Sequence, residues 1–423
     1  MIVQACWIKE LYIDPGTGYM LFAILIGLLG VARFVFKGLW VKLRFLASGG
    51  KKNDSYENTI PLVVFSDDKR YWNVFEPVLF ELNSRGFDCV YMTMSEDDPG
   101  LKQTAMSHVK TEYIGSGNKA FAKLNFLKAT MLLSTTPGLD VYQWKRSKNV
   151  KYYIHIPHSP AEMTTYRMFG IDYYDAVLTS GQFQTDDTRD LERIRHLPAK
   201  EIVLTGSPFM DEKWKRLTER SSVTKTNNKD SHIVLLAPSW GSSSILHKYG
   251  ADFIRDLLKT GYHIIIRPHP QSFKSEKEMI DKLLSEFPES DQLEWNSDSD
   301  NFDVLNRADI LISDFSGVIF DFALVFDKPV ICADTDFDTS PYDVWWLNRN
   351  PWGLSVIHRL GVKLTPDNRN EIKSLIDVCL EDDSFAKSRR ELREEAWAFQ
   401  GEGTQHMTDY LISKYADLTK EIH

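Results

Sequence analysis

Short apolar runs alternate along this chain with stretches whose apolar residues recur every three or four positions. The runs at 60–65, 88–92, 151–156, 176–179 and 202–204 read as strands, and those at 72–84 and 119–127 as helices. A second series follows, with strands predicted over 233–237, 263–267, 310–313 and 329–332 and helices over 252–260, 276–286 and 317–325. Apolar strands separated by helices predict parallel sheets covered on both faces. Two such series predict an α/β protein with two doubly wound, Rossmann-type domains.

The polar stretch 219–231 marks the joint between them. The organisation expected is a first domain over 60–220, a linker over 221–231 and a second domain over 232–390. A helical tail, 391–423, is expected to pack back on the first domain. Upstream, 18–36 is apolar except for Arg33, and its nineteen residues match a bilayer core of roughly 30 Å. Lys37, Lys42, Arg44, Lys51 and Lys52 follow it, against Lys9 alone before it. This asymmetry places the downstream part in the cytoplasm. Residues 1–46 are therefore expected to be a membrane anchor, spanning the bilayer or lying in its interface, and 47–59 a linker.

Composition narrows the function. A chain of 423 residues with 43% hydrophobic and 26% charged residues is globular in character. Its 50 basic and 59 acidic residues give a net charge of -9, which argues against nucleic acid as a partner. Cys6, Cys89, Cys332 and Cys379 are scattered, with no zinc or disulfide spacing, and Cys89 and Cys332 fall in strand-like runs that predict burial. No dinucleotide fingerprint, phosphate-binding P-loop or serine-hydrolase elbow is present. The acidic clusters at 298–300 and 334–343 are spaced too irregularly for a metal site and read as solvated loops. The aromatic stretch 342–346 reads as core packing, with contact to a lipid-linked acceptor as its functional alternative.

In open α/β sheets ligands bind beyond the carboxyl ends of the strands, so polar residues just after each strand are the candidates. His158 and Ser159 emerge where proline ends a strand, whereas His155 falls within it and reads as a hydrogen-bonded core histidine. Arg267-Pro268-His269-Pro270 holds a cation and an imidazole at a rigid strand end, a pairing suited to phosphate. Ser313-Asp314-Phe315-Ser316-Gly317 runs from a strand into a helix start, where free N–H groups and the helix dipole favour an anion. Asp314 also suits a helix cap, and Asp321, a turn on, a structural role. Gly206, Ser207 and Ser239 are further residues placed to line the cleft, or ordinary turn residues.

Arg267-Pro268-His269-Pro270, the run from Ser313 to Phe322 and Ala237-Pro238-Ser239-Trp240 together resemble the CDP-glycerol glycerophosphotransferases of teichoic-acid synthesis. The resemblance implies a GT-B-like pair of domains facing a cleft. It also implies attack by an acceptor hydroxyl on the glycerol-bearing phosphate of CDP-glycerol, with release of CMP. His158 would then be the general base, and His269 would stabilise or protonate the donor phosphates. Arg267, Ser313, Asp314, Ser316 and Gly317 would hold the pyrophosphate, with no metal and no separate cofactor.

The implied setting is cell-surface polymer synthesis at a bacterial inner membrane, with a lipid-linked or polymer acceptor. The family's first-motif lysine is absent from His158-Ser159-Pro160-Ala161-Glu162-Met163, and Gly241 stands where it has an arginine after Trp240. Two alternatives share the fold. One is a GT-B glycosyltransferase or epimerase acting on a UDP- or CMP-sugar; the other is an inactive membrane adaptor.

Overall fold

The computed structural model describes residues 59–221, 232–298 and 300–420. The anchor, its linker, Cys6 and most of the interdomain joint lie outside the described residues, among which no helix is long and apolar enough to cross a membrane. From Thr59 onward the chain forms one compact unit.

Within that unit are two wholly parallel sheets. The first holds β1 (Ile60–Ser66), β2 (Cys89–Thr93), β3 (Val109–Tyr113), β4 (Ala129–Ser134), β5 (Val150–His155), β6 (Ala176–Thr179) and β7 (Glu201–Leu204). Their order is 3-2-1-4-5-6-7. The second holds β8 (Ile233–Leu236), β9 (His263–Ile266), β10 (Leu293–Trp295), β11 (Ile310–Ser313), β12 (Val330–Ala333) and β13 (Gly361–Leu364), in the order 10-9-8-11-12-13. In each sheet the order reverses beside the first strand, which opens a crevice at the strands' carboxyl ends.

Burial on both sheet faces explains the unbroken apolar runs. Leu62 and Val64 of β1 face helix Trp72–Ser84 through Phe75 and Leu79, whereas Val63 and Phe65 face Leu132 and Trp144 on the other side. In the second sheet, Leu235 and Leu311 face one core and Val234, Leu236, Ile310 and Ile312 the other. Cys89, Cys332 and Cys379 are reduced and buried.

Four strands have no counterpart in the sequence expectation. The apolar run of β4 follows helix Asn118–Asn125 so closely that periodicity merges the two. β3, β10 and β13 lie at sheet edges, where a polar residue breaks the apolar signature.

The chain then crosses back. Helix Gly403–Lys420 lies on the first lobe, with Met407 and Leu411 in its core. The crossing is held by Asp211, whose carboxylate accepts from Trp397 Nε1 (2.8 Å), Gly401 N–H (2.8 Å) and Gly403 N–H (2.7 Å). Between the lobes, Lys213 of helix Pro208–Ser221 meets Asp321 at 2.7 Å, both almost fully buried. Burial pulls the Lys213 ammonium below its ordinary pKa, and Asp321 opposes that shift.

Removing one member of a buried pair strands the other charge. Lys213→Ala is expected to cost about 3–5 kcal/mol in urea unfolding followed by tryptophan fluorescence, and Lys213→Met with Asp321→Leu to recover most of it. A loss under about 1 kcal/mol in the single variant would show that the pair does not hold the lobes.

Candidate active site between the lobes

The carboxyl ends of both sheets face a shared cavity of about 460 Å³. Of the residues expected there, His158, Ser159, Ser239, His269, Ser316 and Gly317 line it. The lobes approach closely at Gly317, where a Cβ would stand 2.7 Å from the hydroxyl of Ser159. A larger residue there would force the Ser159 hydroxyl to move, so the glycine serves the packing of the two lobes.

The two histidines come from opposite lobes. His158 follows β5 and lies on the ring of Tyr166, centroids 6.0 Å apart and planes 20° apart, with Tyr71 on another side at 5.1 Å. Its Nδ1 is buried and has no hydrogen-bond partner among the described residues. Burial, reinforced by Arg70, pushes its pKa down to about 4. His269 follows β9, and its Nδ1 accepts the Gln271 N–H at 3.0 Å. A neutral ring bonded in this way carries its proton on Nε2, which makes His269 a hydrogen-bond donor. Burial, Arg70 and His158 together lower its pKa to about 4. Near neutral pH the cavity therefore holds two uncharged imidazoles.

The cation beside them is Arg70, which the sequence reading missed. It follows β1 in the short 3-10 turn Lys69–Tyr71. Its Nε makes no hydrogen bond to a described residue, and the Asp68 carboxylate stands 3.8 Å away. Asp68 also takes Lys274 of the second lobe at 2.9 Å, so the Arg70 turn is tied across the cleft. No local motif marks this arginine; its position after the central strand was the available signal.

Glu162 was missed as well. It lines the cavity, is buried, and accepts the Gly353 N–H of the second lobe at 2.9 Å. Burial pushes its pKa up to about 7, against the pull of that N–H.

Five expected residues lie elsewhere. Arg267 points away from the cavity: its guanidinium donates to the Asn296 side chain and, at 2.7 Å, to the Asp298 carbonyl. The cause is β10, which pairs with β9 and delivers residues 296–298 beside it. Ser313 is fully buried and donates to Ala237 O at 2.6 Å. Asp314 is not a ligand-facing carboxylate, and neither does it cap its own helix. It accepts from Ser239 N–H (2.8 Å) and Ile245 N–H (2.9 Å), fastening the loop after β8. Burial raises its pKa to about 6. Gly206 and Ser207 pack against the returning tail, with a Cβ at Gly206 only 2.4 Å from Ala398 O.

Three other expectations resolve as follows. His155 is a buried histidine with Nε2 3.3 Å from Tyr166 Oη. The helix expected over 317–325 is a short α-helix, Val318–Phe320, continued by a π-helical turn, Asp321–Val325, whose first residue carries the ion pair to Lys213. The segment 342–346 is neither all core nor all solvated. Asp343 is fully buried, accepting from Phe169 N–H (2.7 Å) and Gly170 N–H (2.9 Å), whereas Trp345 and Trp346 are exposed.

Fold and site define a two-lobed α/β protein similar in architecture to GT-B enzymes, with its cavity between two Rossmann-like halves. Residues 162–343 match the family described as CDP-Glycerol:Poly(glycerophosphate) glycerophosphotransferase, which bears out the resemblance read from the motifs and makes the chain an enzyme of the phosphotransferase class. His269, Ser316 and Gly317 lie inside the matched segment; His158 and Arg70 precede it.

Among solved structures, the wall teichoic acid polymerase TagF aligns at 16% identity and a TM-score of 0.52, over 93% of this chain and 99% of its own. MnaA of S. aureus, solved with UDP, aligns at 11% identity and 0.56, over 84% and 96%. The UDP-GlcNAc 2-epimerase of Methanocaldococcus jannaschii aligns at 11% and 0.53, over 83% and 99%. At such identities the likeness is one of fold. No curated protein matches the chain.

Asp314 satisfies two buried N–H groups at once. Asp314→Ala is expected to lower stability by about 1–3 kcal/mol in chemical denaturation, whereas Ser316→Ala at the cavity wall stays within about 0.5 kcal/mol. Equal effects of the two would contradict their separate placement.

Proposed function

We propose that the protein transfers a glycerol phosphate, or a similar polyol phosphate, from a CDP-activated donor to a hydroxyl of a cell-surface polymer, releasing CMP. One observation carries this reading: two uncharged histidines from opposite lobes share a cavity with Arg70, Arg167 and the serine-glycine turn after β11. The family match favours a CDP-linked polyol donor over a UDP-sugar, although the same fold serves UDP-dependent epimerases.

In this mechanism His158 takes the proton of the acceptor hydroxyl, whose oxygen attacks the phosphorus bearing glycerol. The bond from that phosphorus to the bridging oxygen breaks, and CMP departs with the electron pair. His269 donates its Nε2–H to the donor phosphates, and Arg70 supplies the charge that the displaced Arg267 does not. Phosphoryl transfer depends mainly on such positioning and charge stabilisation. The reaction proposed needs no cofactor. Residues 1–46 would anchor the enzyme at the cytoplasmic face of a bacterial inner membrane, near a lipid-linked acceptor.

Release of CMP from CDP-glycerol is the direct test. His158→Ala and His269→Ala are each expected to lower turnover about 10²–10⁴-fold, and release of UDP from UDP-sugars alone would overturn the reading. Arg70→Ala is expected to weaken CDP-glycerol binding roughly tenfold or more, with partial recovery in Arg70→Lys.

The pH profile is a further check. His158 binds its proton only near pH 4, so kcat/KM should hold well below the ordinary histidine pKa of about 6.5. An acid limb centred at 6.5 would place the base elsewhere. Stability is a poorer readout. The depressed histidines lose stability as pH falls below 6.5, whereas the raised carboxylates of Glu162 and Asp314 lose it as pH rises, and the two trends oppose.

A further inference from the structure

A second cavity, of about 610 Å³, opens on the first lobe beside the site. The two share their walls. Gly138 and Tyr142 line the histidine cavity, and Asp140 and Val141, between them in sequence, line the second. Arg167 and Tyr342 likewise line the first, and Phe169 and Trp346 the second. Three chain segments thus run continuously from one cavity to the other.

The second cavity has an aromatic rim over a buried polar floor. Phe169, Tyr173 and Trp346, 38%, 47% and 38% exposed, stand together around this one opening. Beneath them lies Arg195, its side chain only 5% exposed and its guanidinium 5.5 Å and 5.9 Å from the Phe169 and Trp346 rings. Nη1 donates to Asp343 at 2.8 Å. Nη2 stands 3.2 Å from Asp172 Oδ1 in an ion pair, yet Nε, Nη2 and Asp172 Oδ1 lack a hydrogen bond of proper geometry among the described residues. Unsatisfied buried polar groups of this kind call for an explanation.

Charge and shape select the occupant. The cavity's one guanidinium is engaged by Asp343 and Asp172, and Asp140 adds a carboxylate and His196 an imidazole to the lining, so a phosphate finds no spare guanidinium or ammonium there. Exposed aromatic faces beside carboxylates and a guanidinium suit a ring with an apolar C–H face and hydroxyls at its edge. We infer that this cavity is an acceptor subsite for an uncharged, hydroxyl-rich sugar unit, holding it while a neighbouring hydroxyl reaches His158. The inference rests on the transferase reading for its purpose, but not for its chemistry.

Saturation-transfer NMR on the full chain tests it, with N,N′-diacetylchitobiose as the neutral probe and glycerol 3-phosphate as the anionic one. The disaccharide is expected to bind without competition from glycerol phosphate. Trp346→Ala and Tyr173→Ala, both at exposed rings, are expected to weaken it by at least about fivefold, and Trp346→Phe to retain most of it. CDP binding in the histidine cavity should change by no more than about twofold in these variants. The inference is overturned if the wild type does not bind the disaccharide, if both alanine variants bind it equally well, or if glycerol phosphate competes. Failure of the wild type to bind CDP would overturn the transferase reading instead and leave the disaccharide result standing.

Discussion

The cavity exists only while two lobes are held face to face, and one interaction that holds them is the buried Lys213–Asp321 pair. Two opposite charges taken out of water are costly unless each has the other. That makes the pair a poor source of net stability and a strict determinant of geometry. Asp321 follows the Ser316-Gly317 turn along the same helical segment, so a constraint on Asp321 also places that turn. Ser159 then closes on Gly317 from the other side, and Glu162 on Gly353.

This packing accounts for the state of the histidines. A surface imidazole would be half protonated near pH 6.5 and poorly suited to hold one role. Closure buries both rings and places Arg70 beside them, and both effects disfavour the charged form. The Gln271 N–H then assigns the His269 proton to Nε2, while the buried Nδ1 of His158 has no hydrogen-bond partner among the described residues. Two residues of one type thereby stand in different hydrogen-bonding surroundings.

Asp343 extends the same logic to the second cavity. A second-lobe carboxylate, fully buried, accepts two first-lobe backbone N–H groups and one from Arg195. It anchors the segment that presents Trp345 and Trp346 to solvent. One strand-to-helix connection of the second lobe thus shapes both the cavity between the lobes and the cavity beside it.

Local pattern was enough for the two parallel sheets and for the histidines and the Ser316-Gly317 turn, because apolar runs and strand ends are local properties of the chain. It was not enough for β4, where a helix and a buried strand run together, or for the edge strands, whose polar residues hide them. Ser313, Asp314 and Arg267 lie within three residues of genuine lining positions, yet their side chains turn to Ala237, Ser239 and Asn296. Which way a side chain turns at a strand end depends on the neighbouring strand and the loop that follows it. Those neighbours are distant in sequence, as are Arg70 and Glu162 from the residues they face across the cleft. Strand ends are therefore readable from the chain, whereas the partners that meet there are chosen by packing between lobes.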